Sequence, residues 1–95
     1  MILVVSYALG PGHSVSTEFY DVLKRQPKWW HYIGSTWLVE TDLTSRRLAG
    51  ELRQFLRKGD RLVVAKLDPK DVPDGWLPKE AWEWINKAYK GPAGS

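Results

Sequence analysis

"KWWHYIGSTWLVET", residues 28–41, decides how the rest of the chain is arranged. Two runs rich in aromatic and β-branched residues are parted by Gly34-Ser35, which reads as a β-hairpin. In the second run Trp37 and Val39 share one face, while Thr36, Leu38 and Glu40 share the other. The same alternation sends Trp29 and Trp30 to opposite faces. A hairpin with a helix and a further strand on either side is the centre of a split β-α-β pattern, so the flanking segments settle the fold class.

Upstream, Ile2, Leu3, Val4 and Val5 are apolar at consecutive positions, the mark of a strand over residues 2–9 covered on both faces. Gly10-Pro11-Gly12 breaks that strand. Ser14 or Ser16 then caps a helix carrying Phe19, Val22 and Leu23 on one side, and Pro27 ends it. With Ser16 as the cap, Val15 and Tyr20 fall at the staple positions. Downstream, Thr44 caps a second helix over residues 45–58, with Leu48, Leu52, Phe55 and Leu56 as its apolar stripe and Gly59 as its C′ glycine. "DRLVVAKL" (60–67) is a fourth strand, and "DPKDVPDG" (68–75) is a turn-rich connector. A third helix begins near Pro78 and places Ala81, Trp82, Ile85, Ala88 and Tyr89 on one face, with Trp84 at its margin.

The order β-α-β-β-α-β plus a C-terminal helix predicts an α+β protein. The expected form is a ferredoxin-like βαββαβ sandwich, with a four-stranded antiparallel sheet, two helices on one face and the added C-terminal helix. Right-handed crossovers are expected to make the first and third strands central and parallel. The third helix then covers the open sheet face, an edge or a second subunit. Residues 1–90 are read as one ferredoxin-like domain and 91–95 as a flexible tail.

Ninety-five residues suffice for one core, and the absence of cysteine excludes disulfides and thiolate metal sites. The short apolar start has no basic residue before it, and no apolar stretch approaches the roughly 20 residues that cross a bilayer. The expectation is a soluble cytoplasmic protein with no membrane partner. Fourteen Lys and Arg against eleven Asp and Glu give a formal charge of +3. That is a mild excess whose distribution says more than its size.

The second helix carries most of the signal. At 100° per residue Arg46, Arg53 and Arg57 stack on one line with Arg47 and Lys58 beside them, opposite the apolar stripe. Among these cations Glu51 is the acidic residue. A solvated helix ordinarily mixes signs, so this face suits a phosphate backbone and needs no base-reading motif. Both sandwich helices are expected to begin at one rim, bringing Arg46 and Arg47 beside the loop Gly10-Pro11-Gly12-His13-Ser14. Gly10, Gly12, His13 and Ser14 are there the candidate anion-binding residues, although Pro11 removes a donor and the motif reads first as a turn.

For metal chemistry, Glu40, Asp42 and Asp60 are the acids expected along one sheet edge. Asp60 after Lys58-Gly59 reads more simply as a turn aspartate, and Asp42 as an acid favoured at a helix start. No nucleophile elbow, Walker loop or spaced Cys/His set is present, so the residues support no catalytic assignment, metal or cofactor. Six tryptophans are many for this length. The simplest account packs Trp76, Trp82 and Trp84 over Trp29, Trp30 and Trp37, within a subunit or across a dimer. An exposed member would instead suit stacking on single-stranded bases.

"SY" closing the first strand, Pro11-Gly12, "WWH", "STWLV", "KGDRLVV" and "GWLPKEAWEWI" resemble a group of small bacterial proteins often labelled SinR-like. That group is similar to the small Cas-two type subunit of the CRISPR adaptation complex and to virulence-associated protein D. The resemblance covers about residues 1–86 and implies a ferredoxin-like fold, a homodimer and association with nucleic acid. In the wider families the first strand ends in Tyr-Asp, and the paired acids of two subunits are proposed to hold a divalent metal. Here the pair is Tyr7-Ala8, and a methyl group ligates nothing.

The expected function is a homodimeric, nuclease-inactive protein that binds the backbone of DNA or RNA. Two alternatives stand beside it. One is a protein–protein module of a defence or toxin–antitoxin system acting through a Trp-rich surface. The other is a divalent-metal-dependent endonuclease using Glu40, Asp42 or Asp60.

Overall fold

Consecutive apolar residues at the start of the chain require a strand with a hydrophobic layer on each side, and the computed structural model, which describes residues 1–90, has that form. In chain order it contains β1 (Ile2–Ala8), α1 (Thr17–Lys24), β2 (Lys28–Ile33), β3 (Thr36–Glu40), α2 (Ser45–Arg53), β4 (Arg61–Lys66) and α3 (Lys79–Lys90). The strands form one sheet in the order β2-β3-β1-β4. Each neighbouring pair is antiparallel. The arrangement is a small α+β fold consistent with the ferredoxin-like class. The expected tail at 91–95 lies outside the described residues.

β1 and β3 are central as expected, but they run antiparallel, with Ile2 opposite Glu40 and Ser6 opposite Thr36. The reason is the hairpin. A two-residue connection reverses the chain, so β3 opposes β2, and a crossover helix makes β2 parallel to β1. The parallel pairs are therefore β1 with β2 and β3 with β4, each split by a strand of the other unit. Helices α1 and α2 consequently start at opposite rims.

Alternation along β1 builds both layers. Leu3, Val5 and Tyr7 face α1 and α2, joining Phe19, Val22, Leu23, Trp37, Val39, Leu48 and Leu52 in the main core. Ile2 and Val4 face the other way, where Trp30, Leu38, Ala81 and Ile85 form a second cluster beneath α3. The third helix thus covers part of the open sheet face of its own chain. Burial pushes the Tyr7 hydroxyl up to about 12, helped by the neighbouring Tyr20 hydroxyl. The Trp37 indole N–H makes no well-formed hydrogen bond, yet lies near enough to Tyr7 to pull slightly the other way.

Ser16 occupies the N-cap of α1, but its side chain makes no capping bond, whereas the Thr44 hydroxyl accepts from Arg47 N–H at 3.1 Å. α2 ends at Arg53, five residues before the expected end at 58. Phe55 and Leu56 both pack against the main core. Both keep the inward side that a continuing helix would have given them, so the early end leaves the apolar stripe intact. The chain leaves the helix through tight turns, Phe55 N–H to Leu52 O and Leu56 N–H to Arg53 O. Gly59 then serves a turn before β4, with φ +98°.

Replacing Ile85 by Ala is expected to lower the unfolding free energy by about 2–5 kcal/mol, since it opens a cavity between α3 and the sheet. Trp76, 99% exposed, is the internal control. Trp76→Ala is expected to stay within about 0.5 kcal/mol of the parent in urea unfolding.

Candidate functional site

Gly59 lets the chain reverse so that the Asp60 carboxylate points back over the end of β1, where Arg61 pairs with Ala8. Gly10 N–H donates to Oδ1 at 2.7 Å. His13 Nδ1 lies 2.7 Å from Oδ2, and Arg57 N–H donates to the same oxygen at 2.8 Å. The Asp60 side chain is 1% exposed and that of His13 9%. A carboxylate only accepts, so Nδ1 carries the proton, and in the neutral ring Nε2 keeps the lone pair. Asp60 is held well below the usual carboxylate range, first by the Gly10 N–H, then by the Arg57 N–H, with His13 adding less. This is a clasp that fixes the loop after β1 to the turn before β4.

Gly10 N–H and His13 Nδ1 both face the Asp60 carboxylate, and His13 N–H bonds to Gly10 O. Gly12 is exposed with φ +74°, and Ser14 is exposed. α1 begins at Thr17, several residues beyond the loop. Arg57 and Lys58 lie at this rim, because the clasp includes Arg57.

Arg46, Arg47, Arg53, Arg57 and Lys58 are all exposed. Leu48 and Leu52 are fully buried, which fixes the rotation of α2 and leaves its basic side outward. Among the described residues, none of the five cations forms an ion pair with a carboxylate. Two expectations change. Arg57 and Lys58 sit on the turn rather than the helical line, and Arg46 and Arg47 occupy the rim opposite the Gly10–Ser14 loop, because α2 starts beyond the Glu40 end of β3.

The antiparallel pairing also separates the three acids. Glu40 pairs with Ile2 at one end of β1, and Asp42 follows it, while Asp60 stands beside Ala8 at the other. The shared-edge acid site is thereby removed. No group of three or more His, Cys, Asp or Glu suited to a metal ion occurs among the described residues. Ala8 is exposed and lines a shallow hollow with Ser6, Arg61 and Val63.

The tryptophans divide by layer. Trp37 is buried in the main core and Trp30 under α3, while Trp82 and Trp84 are half-buried beside Trp30's cluster. Trp29 is 41% exposed on the edge strand β2. Sequence reasoning treated Asp60 as an ordinary turn residue and did not single out Thr41. Buried Thr41 donates to Gln26 Oε1 at 2.7 Å and accepts from Leu43 N–H, tying α1 to the start of α2 at the far rim. Its apolar neighbours Leu38 and Val39 gave a weak burial signal, whereas its partner was not legible.

Compared with family models, curated proteins and solved structures, the chain matches none. No helix among the described residues is long and apolar enough to cross a membrane.

Asp60→Asn is expected to be less stable than the parent at pH 7. A carboxyl whose folded pKa is depressed contributes stability above its unfolded value, near 3.8, and loses it as pH falls through the folded pKa. Thermal unfolding from pH 7 to 2 should show the gap between parent and variant closing below about pH 4. A gap that stays constant over that range would rule out the charged clasp.

Proposed function

We propose that this chain is a homodimeric protein of ferredoxin-like fold, a βαββαβ sandwich with an added C-terminal helix, that holds the phosphate backbone of nucleic acid without cleaving it. The observation that supports this reading is the outward surface of α2 and its following turn. Arg46, Arg47, Arg53, Arg57 and Lys58 are exposed there without carboxylate partners among the described residues. Unpaired cations on a helix whose orientation is fixed by its buried face favour a polyanion over a neutral partner. Phosphate contacts of this kind set affinity and position but carry no sequence preference. The non-catalytic part of the reading is supported by Ala8, whose methyl side chain brings no oxygen ligand to the end of β1.

Pairing of two copies is supported by the part of the sheet that α3 leaves open. Val63 is 58% exposed on that face, with Tyr32 and Ile33 also exposed towards the hairpin end. Exposed apolar side chains on a sheet face suit a self-complementary contact across a two-fold axis. A protein-interaction role draws instead on Trp76, whose ring is free on the connector before α3. It would be favoured if the pure protein bound neither DNA nor RNA at low salt.

Fluorescence anisotropy with labelled duplex DNA and duplex RNA over a salt series tests the main reading. Five neutralised phosphates on duplex DNA give a log–log slope of about −4 to −5, and Arg53→Glu with Arg57→Glu should make the slope shallower by about 2. No binding at low salt sinks the proposal, and cleavage of the probe with magnesium sinks its non-catalytic part. For the dimer, light scattering is expected to give twice the chain mass. Val63→Glu, which changes an exposed residue, should give the single-chain mass with the melting temperature of the fold retained.

A further inference from the structure

β2 is an edge strand, and edge strands ordinarily avoid presenting large apolar side chains. This one presents Trp29 as the crest between two surface pockets. The first, about 380 Å³, is lined by Tyr20, Lys24, Trp29, His31 and Trp37. The second, about 310 Å³, lies on the α3 side of Trp29 and includes Lys28, Trp84 and Lys87. Every fully charged side chain lining the two pockets is a lysine. The contiguous segment Lys24–Tyr32 that supplies most of them contains no acid.

The aromatic surfaces are fixed rather than loose. The His31 ring stacks on buried Trp37, with centroids 4.1 Å apart and planes 12° apart. Its Nε2–H donates to the Gly34 carbonyl across the hairpin, which holds the ring in place. His31 is exposed, so the ring face turned away from Trp37 is open to solvent. Trp29 packs beside it at 5.4 Å from the Trp37 centroid. The Lys24 ammonium stands 5.8 Å over the Trp29 ring.

Those features select the chemistry of the ligand. An aromatic pocket that already carries an ammonium repels a second cation, which excludes the quaternary-ammonium type of guest. Flat rings with one open face, edged by lysines, complement a planar π-system that carries negative charge close by. A nucleotide is that kind of unit, and several in a row match a pair of pockets sharing one crest. Lys28 also faces Glu40 at 4.0 Å with its side chain more than half exposed, a contact too weak to withdraw it from a phosphate. In a duplex the bases are stacked on each other, so their faces reach such a platform only from an unpaired strand.

The geometry points to the β2 edge as a binding site for single-stranded nucleic acid, with bases stacked on Trp29 and His31 and phosphates held by Lys24, Lys28 and Lys87. The site builds on the nucleic-acid reading above but uses the sheet edge opposite β4, apart from the basic side of α2. Stacking tolerates any base, so the site selects strand state rather than sequence.

The test is anisotropy with a labelled homopyrimidine strand of about 12 nucleotides, within the usual span of such sites, alongside a duplex of the same length. Trp29→Ala is expected to weaken the single strand about 5- to 100-fold and to leave the duplex within 2-fold (about 0.4 kcal/mol or less). Lys24→Glu with Lys87→Glu should also weaken the strand and make its salt dependence shallower. Melting temperatures near the parent value show that these exposed changes leave the fold intact. Single-strand affinity that is unchanged by Trp29→Ala, or that falls no more than duplex affinity, overturns the proposal. Adenosine monophosphate competing at the same concentration as the strand overturns it in favour of a free nucleotide. The two readings fail separately. Duplex binding lost on Arg53→Glu and Arg57→Glu, with no single-strand response at Trp29, removes this site alone. The reverse pattern removes the α2 surface alone.

Discussion

Everything in this fold depends on β1 being covered on both faces while paired on both edges. Leu3, Val5 and Tyr7 anchor the layer formed by α1 and α2, and Ile2 and Val4 anchor the layer under α3. A register slip of one residue would exchange those sets and put Ser6 and Ala8 towards the main core. The strand therefore fixes the register of β3 and β4 with little freedom. Packing on one face restrains packing on the other, because the interior is close-packed.

Polar junctions close the two rims that packing leaves open. At one, the Asp60 carboxylate gathers Gly10, His13 and Arg57. At the other, Thr41 joins Gln26 and Leu43, and its backbone exchanges hydrogen bonds with Met1. Each junction ties a connection to the sheet at its rim. The Asp60 clasp carries the turn bearing Arg57 and Lys58, and the Gln26–Thr41 contact holds the segment that leads into Lys28 and Trp29.

The basic residues and the tryptophans illustrate how legibility varies. Exposure of Arg46, Arg47 and Arg53 was readable because Leu48 and Leu52 mark the buried side of the same short helix. Arg57 and Lys58 were misplaced by five residues of extra helix, since Gly59 is a sound local stop signal while the tight turns that follow Arg53 carry no such mark in the sequence. Opposite placement of Trp29 and Trp30 followed from strand alternation alone. That Trp29 would be the exposed member depended on α3 choosing the Trp30 face, a choice that no local pattern encodes.

By itself the sequence determined the number and order of elements, the Thr44 cap, the buried face of each helix and the cations left outside. These are properties of neighbours within a turn or a hairpin, where periodicity and capping act. Strand direction, and with it the division of Glu40 and Asp42 from Asp60, was already implied by the hairpin and the crossover helices. Only the tertiary structure decided the early end of α2 and the aromatic–lysine edge of β2. The Asp60 contacts to Gly10 and His13 join residues 50 and 47 positions apart. Contacts at such separations exist only after the sheet has assembled, because only then do the chain ends that make them lie at a common rim.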